Sequence, residues 1–229
     1  LTFGLDGNLY VCSSLTNSIL RYRGPLAIDP GSPLPASGQS GATFVASSSG
    51  GLLRPASLAF GPDKHLYVAG QPMGILRFAG TTGAFFDTFI PAGVGGLTMA
   101  QSMAFDQEGR FYVSDFSDAV HRYDALGNFI GDLLANSVSV DLGSPLGMAF
   151  DAQGALFISA NIYDSVVRYD RGILVILSAP GSVDIRVDYA STDETASASS
   201  DYFALSGTVT FPPGQTSRRI LLATKDDLE

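Results

Sequence analysis

Residues Gln101–Leu134 read QSMAFDQEGRFYVSDFSDAVHRYDALGNFIGDLL, and they set the pattern of the chain. Met103 to Phe105 is apolar, and Asp106-Gln107-Glu108-Gly109 then supplies a turn with glycine where positive φ costs least. Phe111-Tyr112-Val113 is a β-prone run, ended by the polar stretch Ser114 to Asp118. Val120 to Tyr123 makes a third run, Ala125-Leu126-Gly127-Asn128 turns again, and Phe129 to Leu134 makes a fourth. Four short strands joined by glycine-centred turns form an antiparallel unit that cannot bury both faces alone. Such a unit is stable when stacked on copies of itself.

The copies are present. The first apolar strand ends at Phe3, Phe60, Phe105 and Phe150, in steps of 57, 45 and 45 residues. The turn and strand that follow read DGNLYV (6–11), DKHLYV (63–68), EGRFYV (108–113) and QGALFI (153–158). Each third strand closes on an Arg-aromatic pair: Arg21-Tyr22, Arg77-Phe78, Arg122-Tyr123 and Arg168-Tyr169. A period near 45 with landmarks in fixed order predicts an all-β chain built of β-propeller blades of four strands. Three blades and part of a fourth are expected over residues 1–171, the fourth lacking an outer strand after Tyr169-Asp170. Leu1 to Gly4 is already the middle of a repeat, so the chain is expected to begin inside a blade.

The first step is longer because of an insertion over residues 24–51, rich in glycine, proline and serine, with Thr43 to Ala46 as its one expected strand. Proline cannot donate to a ladder, so most of it reads as a surface loop, either a tolerated insertion or a binding loop.

PASLAFGPDKHLYVAG, QSMAFDQEGRFYVSD and SPLGMAFDAQGALFISA, each followed by an Arg-aromatic strand, resemble the NHL-type propeller family. More loosely they are similar to the gluconolactonase-like and streptogramin-lyase-like propellers. Members of these families close rings of five or six blades, so this resemblance implies that the partial ring is completed by further residues or by a partner.

At Asp170-Arg171-Gly172 the pattern changes. Ile173 to Ser178 is a β-branched run, and Val183, Ile185 and Val187 alternate with Asp184, Arg186 and Asp188, a half-buried strand. Residues 172–229 therefore read as a second domain, an incomplete β-sandwich. VDIRVDYASTDETASASSDYFALSGTVTFPPGQTSRRILLATKDD resembles the Calx-β family, with Glu194, Ser199 and Gln215 departing from its usual residues. The resemblance implies a calcium site whose ligands map onto Asp201 and the pair Asp226-Asp227; Glu229 and the Asp193-Glu194 pair lie near it. Calcium suits such a site because it takes several hard oxygen ligands from loops.

Elsewhere the chemistry-bearing residues are few. Net charge is −9, which argues against nucleic acid as a partner and favours cations. Cys12 is the only cysteine, so there is no disulfide framework, and no basic neighbour in sequence activates it. The longest apolar run, Ile173 to Leu177, is too short to span a membrane. His65 falls in a turn and His121 in a strand, and neither recurs in the other blades. Asp6, Asp63, Asp106 and Asp151 do recur, as do the four arginines, and a residue repeated in every blade is read as structure. No phosphate-binding glycine loop, nucleophile elbow or zinc spacing occurs. A metal-dependent propeller enzyme would draw ligands from the loops after the second strands, where Gln71, Asp115 and Asn161 stand.

Composition and the paired resemblances together lead to an expectation of a bacterial, non-enzymatic extracellular or cell-surface protein with a structural or adhesive role. Its propeller would be a scaffold for proteins or glycans and its Calx-β segment a calcium-binding spacer, with self-assembly by completion of strands or blades. The alternative is a propeller metalloenzyme of the lactonase or lyase type.

Overall fold

In every blade the second and third strands pair so that an aromatic ring faces an arginine: Tyr10 opposite Arg21, Tyr67 opposite Arg77, Tyr112 opposite Arg122 and Phe157 opposite Arg168. This register follows from tight connections between strands that alternate in facing, and it repeats the same side-chain layer in each sheet. The structure is a computed structural model that describes residues 1–116, 119–134, 144–152, 154–169, 173–198, 202, 204–220 and 223–225.

The chain is all-β, with four four-stranded antiparallel sheets in a propeller arrangement. The first blade holds β1 (Thr2–Phe3), β2 (Leu9–Ser13), β3 (Ser18–Tyr22) and β4 (Thr43–Val45). The second holds β5 (Pro55–Phe60), β6 (Leu66–Gly70), β7 (Gly74–Phe78) and β8 (Phe85–Ile90). The third holds β9 (Ala100–Phe105), β10 (Phe111–Asp115), β11 (Ala119–Tyr123) and β12 (Phe129–Leu134). The fourth begins with β13 (Pro145–Phe150), β14 (Leu156–Ala160) and β15 (Ser165–Tyr169).

The chain then leaves the blade. It makes β16 (Ile173–Ile176), β17 (Ile185–Ala190), β18 (Ser206–Phe211) and β19 (Ser217–Ile220) before β20 (Ala223–Lys225) returns to pair with β15. The fourth blade thus has an outer strand, supplied from the far side of the segment read as a sandwich. Within that segment β16 pairs with β19 and β17 with β18, as two separate antiparallel ribbons. Alternation marked these residues as strands, but it carries no information on which strand each one meets.

Two compact units result: Leu1–Asn136 with Ser144–Met148, and Ser137–Gly143 with Ala149–Glu229. In the first unit the core is built between successive blades. The Tyr10 ring lies edge-on to Phe44 of its own blade and Phe60 of the next, both at 4.9 Å. Tyr67 repeats this with Phe89 at 4.9 Å and Phe105 at 5.0 Å. Below these rings, Leu58, Leu66, Val68 and Leu76 fill the first interface, and Met103, Phe111, Val113 and Tyr123 fill the second. Burying one such side chain contributes roughly 1.5–3 kcal/mol. Phe3, at the position of Phe60 and Phe105, is 56% exposed.

The insertion of the first blade is pinned rather than loose. Arg21 donates from Nε to Leu34 O at 2.8 Å and from Nη2 to Pro35 O at 3.0 Å. Its guanidinium also sits 4.6 Å from the Phe44 ring centre.

Candidate functional site

The two ends of the blades differ in kind. At the turn end, where first strands meet second strands, the recurring aspartates close Asx turns. Asp6 accepts from Asn8 N at 3.0 Å, Asp63 from His65 N at 3.1 Å, and Asp151 from Ala155 N at 2.8 Å. Asp106 accepts from the backbone N–H groups of Glu108 and Arg110 at 3.0 and 2.9 Å. The second-strand tyrosines add their hydroxyls: Tyr10 donates to Asp6 at 3.0 Å, Tyr67 to Asp63 at 2.9 Å and Tyr112 to Asp106 at 3.2 Å. Burial alone would push the Asp6 and Asp63 carboxyls up, yet these donors and the nearby Arg21 and Arg77 charges hold both below the usual carboxylate value. The repeated aspartates are therefore scaffold.

The opposite, connection end carries the links from second to third strands (14–17, 71–73 and the one opened by Phe116 in the first unit) and from outer to inner strands (46–54 and 91–99). Among the described residues no residue recurs here in all blades, but one device that the sequence reading missed occurs twice. Gly50-Gly51-Leu52 and Gly95-Gly96-Leu97 form matching tight turns, Ser49–Gly51 and Val94–Gly96 being 3₁₀. Leu52 and Leu97 are buried. Gly50 and Gly95 lie at φ 60° and 68°, and a Cβ on either would meet the ring of Phe85 or Phe129 at 1.9 or 2.2 Å. The repeated Gly-Gly-Leu was the signal in the sequence.

The polar groups at this end in the first unit are largely committed. Asp115 is fully buried and accepts from Thr98 N at 2.6 Å, Met99 N at 2.8 Å and Thr98 Oγ1 at 2.9 Å. Asn17 Oδ1 accepts from Arg54 N at 2.8 Å, and Ser14 Oγ donates to Pro55 O at 2.9 Å. Among the described residues of these connections Arg54 is the one charged side chain, and it is exposed. Gln71 lies on the second-blade connection, and Asn161 opens the 3₁₀ turn Asn161–Tyr163 at the corresponding connection in the second unit.

A metal-dependent site drawing on Asp115 does not fit this geometry, because its carboxylate already clamps the loop that enters β9. Among the described residues, no group of three or more His, Cys, Asp or Glu side chains is gathered to hold an ion. The calcium ligands implied by the Calx-β resemblance, Asp201, Asp226 and Asp227, lie outside the described residues.

His65 stays in its turn, with Nδ1 3.1 Å from Asp63 Oδ2 and its ring 4.5 Å from that of Phe86. His121 is buried, and its Nδ1 lies 2.7 Å from Asp132 Oδ1 on the adjacent strand. Its Nε2 is buried without a hydrogen-bond partner. Cys12 is packed into the first interface, where burial raises its thiol to about 11.

The chain is similar to solved structures that include a gluconolactonase, a lyase and a putative oxidoreductase. It shares 28% identity with a gluconolactonase from Xanthomonas campestris, covering 62% of this chain and 41% of that one at a TM-score of 0.41. With virginiamycin B lyase from Staphylococcus aureus the identity is 14%, over 74% of this chain and 51% of that one, at a TM-score of 0.46. With a putative oxidoreductase (glucose dehydrogenase) from Thermus thermophilus it is 20%, over 69% and 57%, at a TM-score of 0.43. The chain thus spans about half the length of these solved structures. No protein-family model and no curated protein matches it.

The expectation of a non-enzymatic surface or adhesion protein is thereby corrected: the solved structures named above are described as a gluconolactonase, a lyase and a putative oxidoreductase. The expectation had leaned on composition. A low charge fraction with abundant glycine and serine reports solvent-exposed β-turns, which any propeller has whatever it does.

Proposed function

We propose that this chain forms part of a propeller enzyme of the lactonase or lyase type, acting at the connection end of the blades. The observation that carries the reading is the asymmetry between the ends. Aspartate turns repeat at one end, whereas the other places a different residue at the same point of each blade: Ser14, Gln71, Phe116 and Asn161. A site that occurs once must be assembled from residues that occur once. The reaction class follows from the resemblance of the blade motifs to gluconolactonase-like and streptogramin-lyase-like propellers. Within the first unit, Gln71 offers a neutral donor and acceptor for a bound carbonyl. Arg54, the charged side chain among the described residues of these connections, supplies the cation for negative charge developing on the carbonyl oxygen.

The test is turnover of five- and six-membered lactones by the purified chain, with and without Mg²⁺, Ca²⁺, Mn²⁺ or Zn²⁺. Ring opening that falls at least tenfold in Arg54→Gln is the expected result. A folded chain that opens no lactone under any of these conditions refutes the reading.

For residues 172–229 a second reading is that they form a Calx-β-like module binding calcium through Asp201, Asp226 and Asp227. It is supported by an ordered acidic corner in which Asp193 Oδ1 accepts from Tyr202 Oη at 2.5 Å and from Ala198 N at 2.8 Å. Millimolar calcium should raise the melting temperature, and Asp226→Ala should abolish the rise; an unchanged melting temperature in the parent chain rules the site out.

A further inference from the structure

Among its described residues the connection end of the first unit is nearly free of charge, and it also gathers apolar side chains that water reaches. Three neighbouring inner strands each carry one where they begin. Leu53 precedes β5, Met99 directly precedes β9 and Leu146 is the second residue of β13, and they are 41%, 36% and 43% exposed. β5 packs beside β9, and Met148 N donates to Ser102 Oγ at 3.1 Å to hold the start of β13 against β9. Phe116, 48% exposed, is joined to Met99 by a hydrogen bond from its N–H to Met99 O at 3.1 Å. Met73 is drawn to Leu53, whose N–H points at the thioether sulfur at 3.2 Å.

Exposed apolar side chains set beside one another on a surface with little charge are the mark of a binding surface, whereas those of the turn end, such as Leu5 and Leu126, stand among charged residues. Two methionines in it add unbranched, polarisable side chains that adapt to varied shapes. The rim is ill suited to a hydroxyl-rich ligand, because buried hydroxyls need partners. Asn17 Oδ1, Ser14 Oγ, Thr98 Oγ1 and the Asp115 carboxylate are already engaged by the loops themselves, which leaves Gln71 and Arg54 to the ester.

We propose that this rim seats a hydrocarbon group of the substrate, so that the site takes a neutral cyclic ester bearing an alkyl or aryl substituent rather than a polyhydroxylated one. The cyclic ester rests on the function proposed above; the apolar preference rests on the rim.

Binding and turnover are measured separately on the whole chain, using γ-butyrolactone, γ-octalactone, γ-dodecalactone and glucono-δ-lactone. Calorimetry should show affinity rising up to about fourfold per methylene added, corresponding to ~0.8 kcal/mol for each CH₂ that is fully buried. Phe116→Ser and Leu53→Gln should each weaken γ-octalactone about tenfold, or ~1.4 kcal/mol. Both positions are exposed, so the melting temperature should hold. Leu126→Gln, on an exposed turn at the opposite end, should change nothing. Affinity independent of chain length, tighter binding of glucono-δ-lactone, or equal loss in Leu126→Gln overturns the proposal. Chain-length-dependent binding without ring opening upholds the rim and removes the lactonase reading. Ring opening of glucono-δ-lactone alone does the reverse.

Discussion

Tyr67 joins its blade to the next through its ring and anchors its own turn through its hydroxyl, which donates to Asp63 Oδ2 at 2.9 Å. Tyr67→Phe keeps the ring against Phe105 and removes only the hydrogen bond. The expected loss is about 0.5–1.5 kcal/mol, read as a small fall in the denaturant midpoint with an unchanged slope.

The same turn sets an acid limit. Asp63 and Asp6 titrate below their ordinary value of 3.8 in the folded chain, so their contribution is complete above the unfolded value and disappears as pH falls through the folded one. Melting temperature should therefore decline from near pH 4 downward. The decline should be shallower in Asp63→Asn, which has no carboxyl to protonate. An identical acid profile for parent and variant would contradict this.

Lys64 occupies the turn position that glycine fills in the other blades, at φ 66° against 74°, 78° and 85° for Gly7, Gly109 and Gly154. A side chain in this region costs about 1–2 kcal/mol, offset in part by the greater freedom of unfolded glycine. Lys64→Gly should stabilise the chain by roughly 0.5–1 kcal/mol, seen as a rise of a few degrees in melting temperature.

His121 takes a third-strand position that Leu20, Leu76 and Val167 hold in the other blades. Its buried Nε2 has no partner, and Asp132 satisfies only Nδ1. His121→Leu should be neutral or stabilising, because the remaining Asp132 carboxylate is partly exposed and stays hydrated. Asp132→Ala, which leaves both ring nitrogens unpaired, should cost about 1–3 kcal/mol. Equal destabilisation by the two substitutions would show that the imidazole itself is needed.

With its thiol raised to about 11 by burial, Cys12 should resist alkylation at pH 8 in the folded chain and react at once in denaturant. Rapid labelling of the native chain would place it at the surface.

The blades were legible in the sequence because each is specified locally. The Asp turn, the second-strand aromatic and the Arg-aromatic close lie within some twenty residues of one another, and each imposes its own geometry. The outer strand of the fourth blade was not legible, since Ala223–Lys225 is too short to declare a partner and meets β15 across the intervening ribbons. Sequence placed Gln71, Asp115 and Asn161 after second strands, but Asp115 is the last residue of β10, and sequence could not show that it is consumed by Thr98 and Met99. An aspartate reads the same whether its lone pairs face a loop or a ligand. The apolar rim was hidden for a related reason: Leu53, Met99 and Phe116 are far apart in sequence, and only the stacking of blades makes them neighbours.

The return of β20 to β15 has a consequence for synthesis. The first three blades can each close as soon as their own residues leave the ribosome, whereas the fourth must wait for everything between Tyr169 and Ala223. During that interval Ser165–Tyr169 is an unpaired strand edge presented to other nascent chains. The speed at which the intervening ribbons are translated and folded thus governs how long this chain is exposed to mispairing.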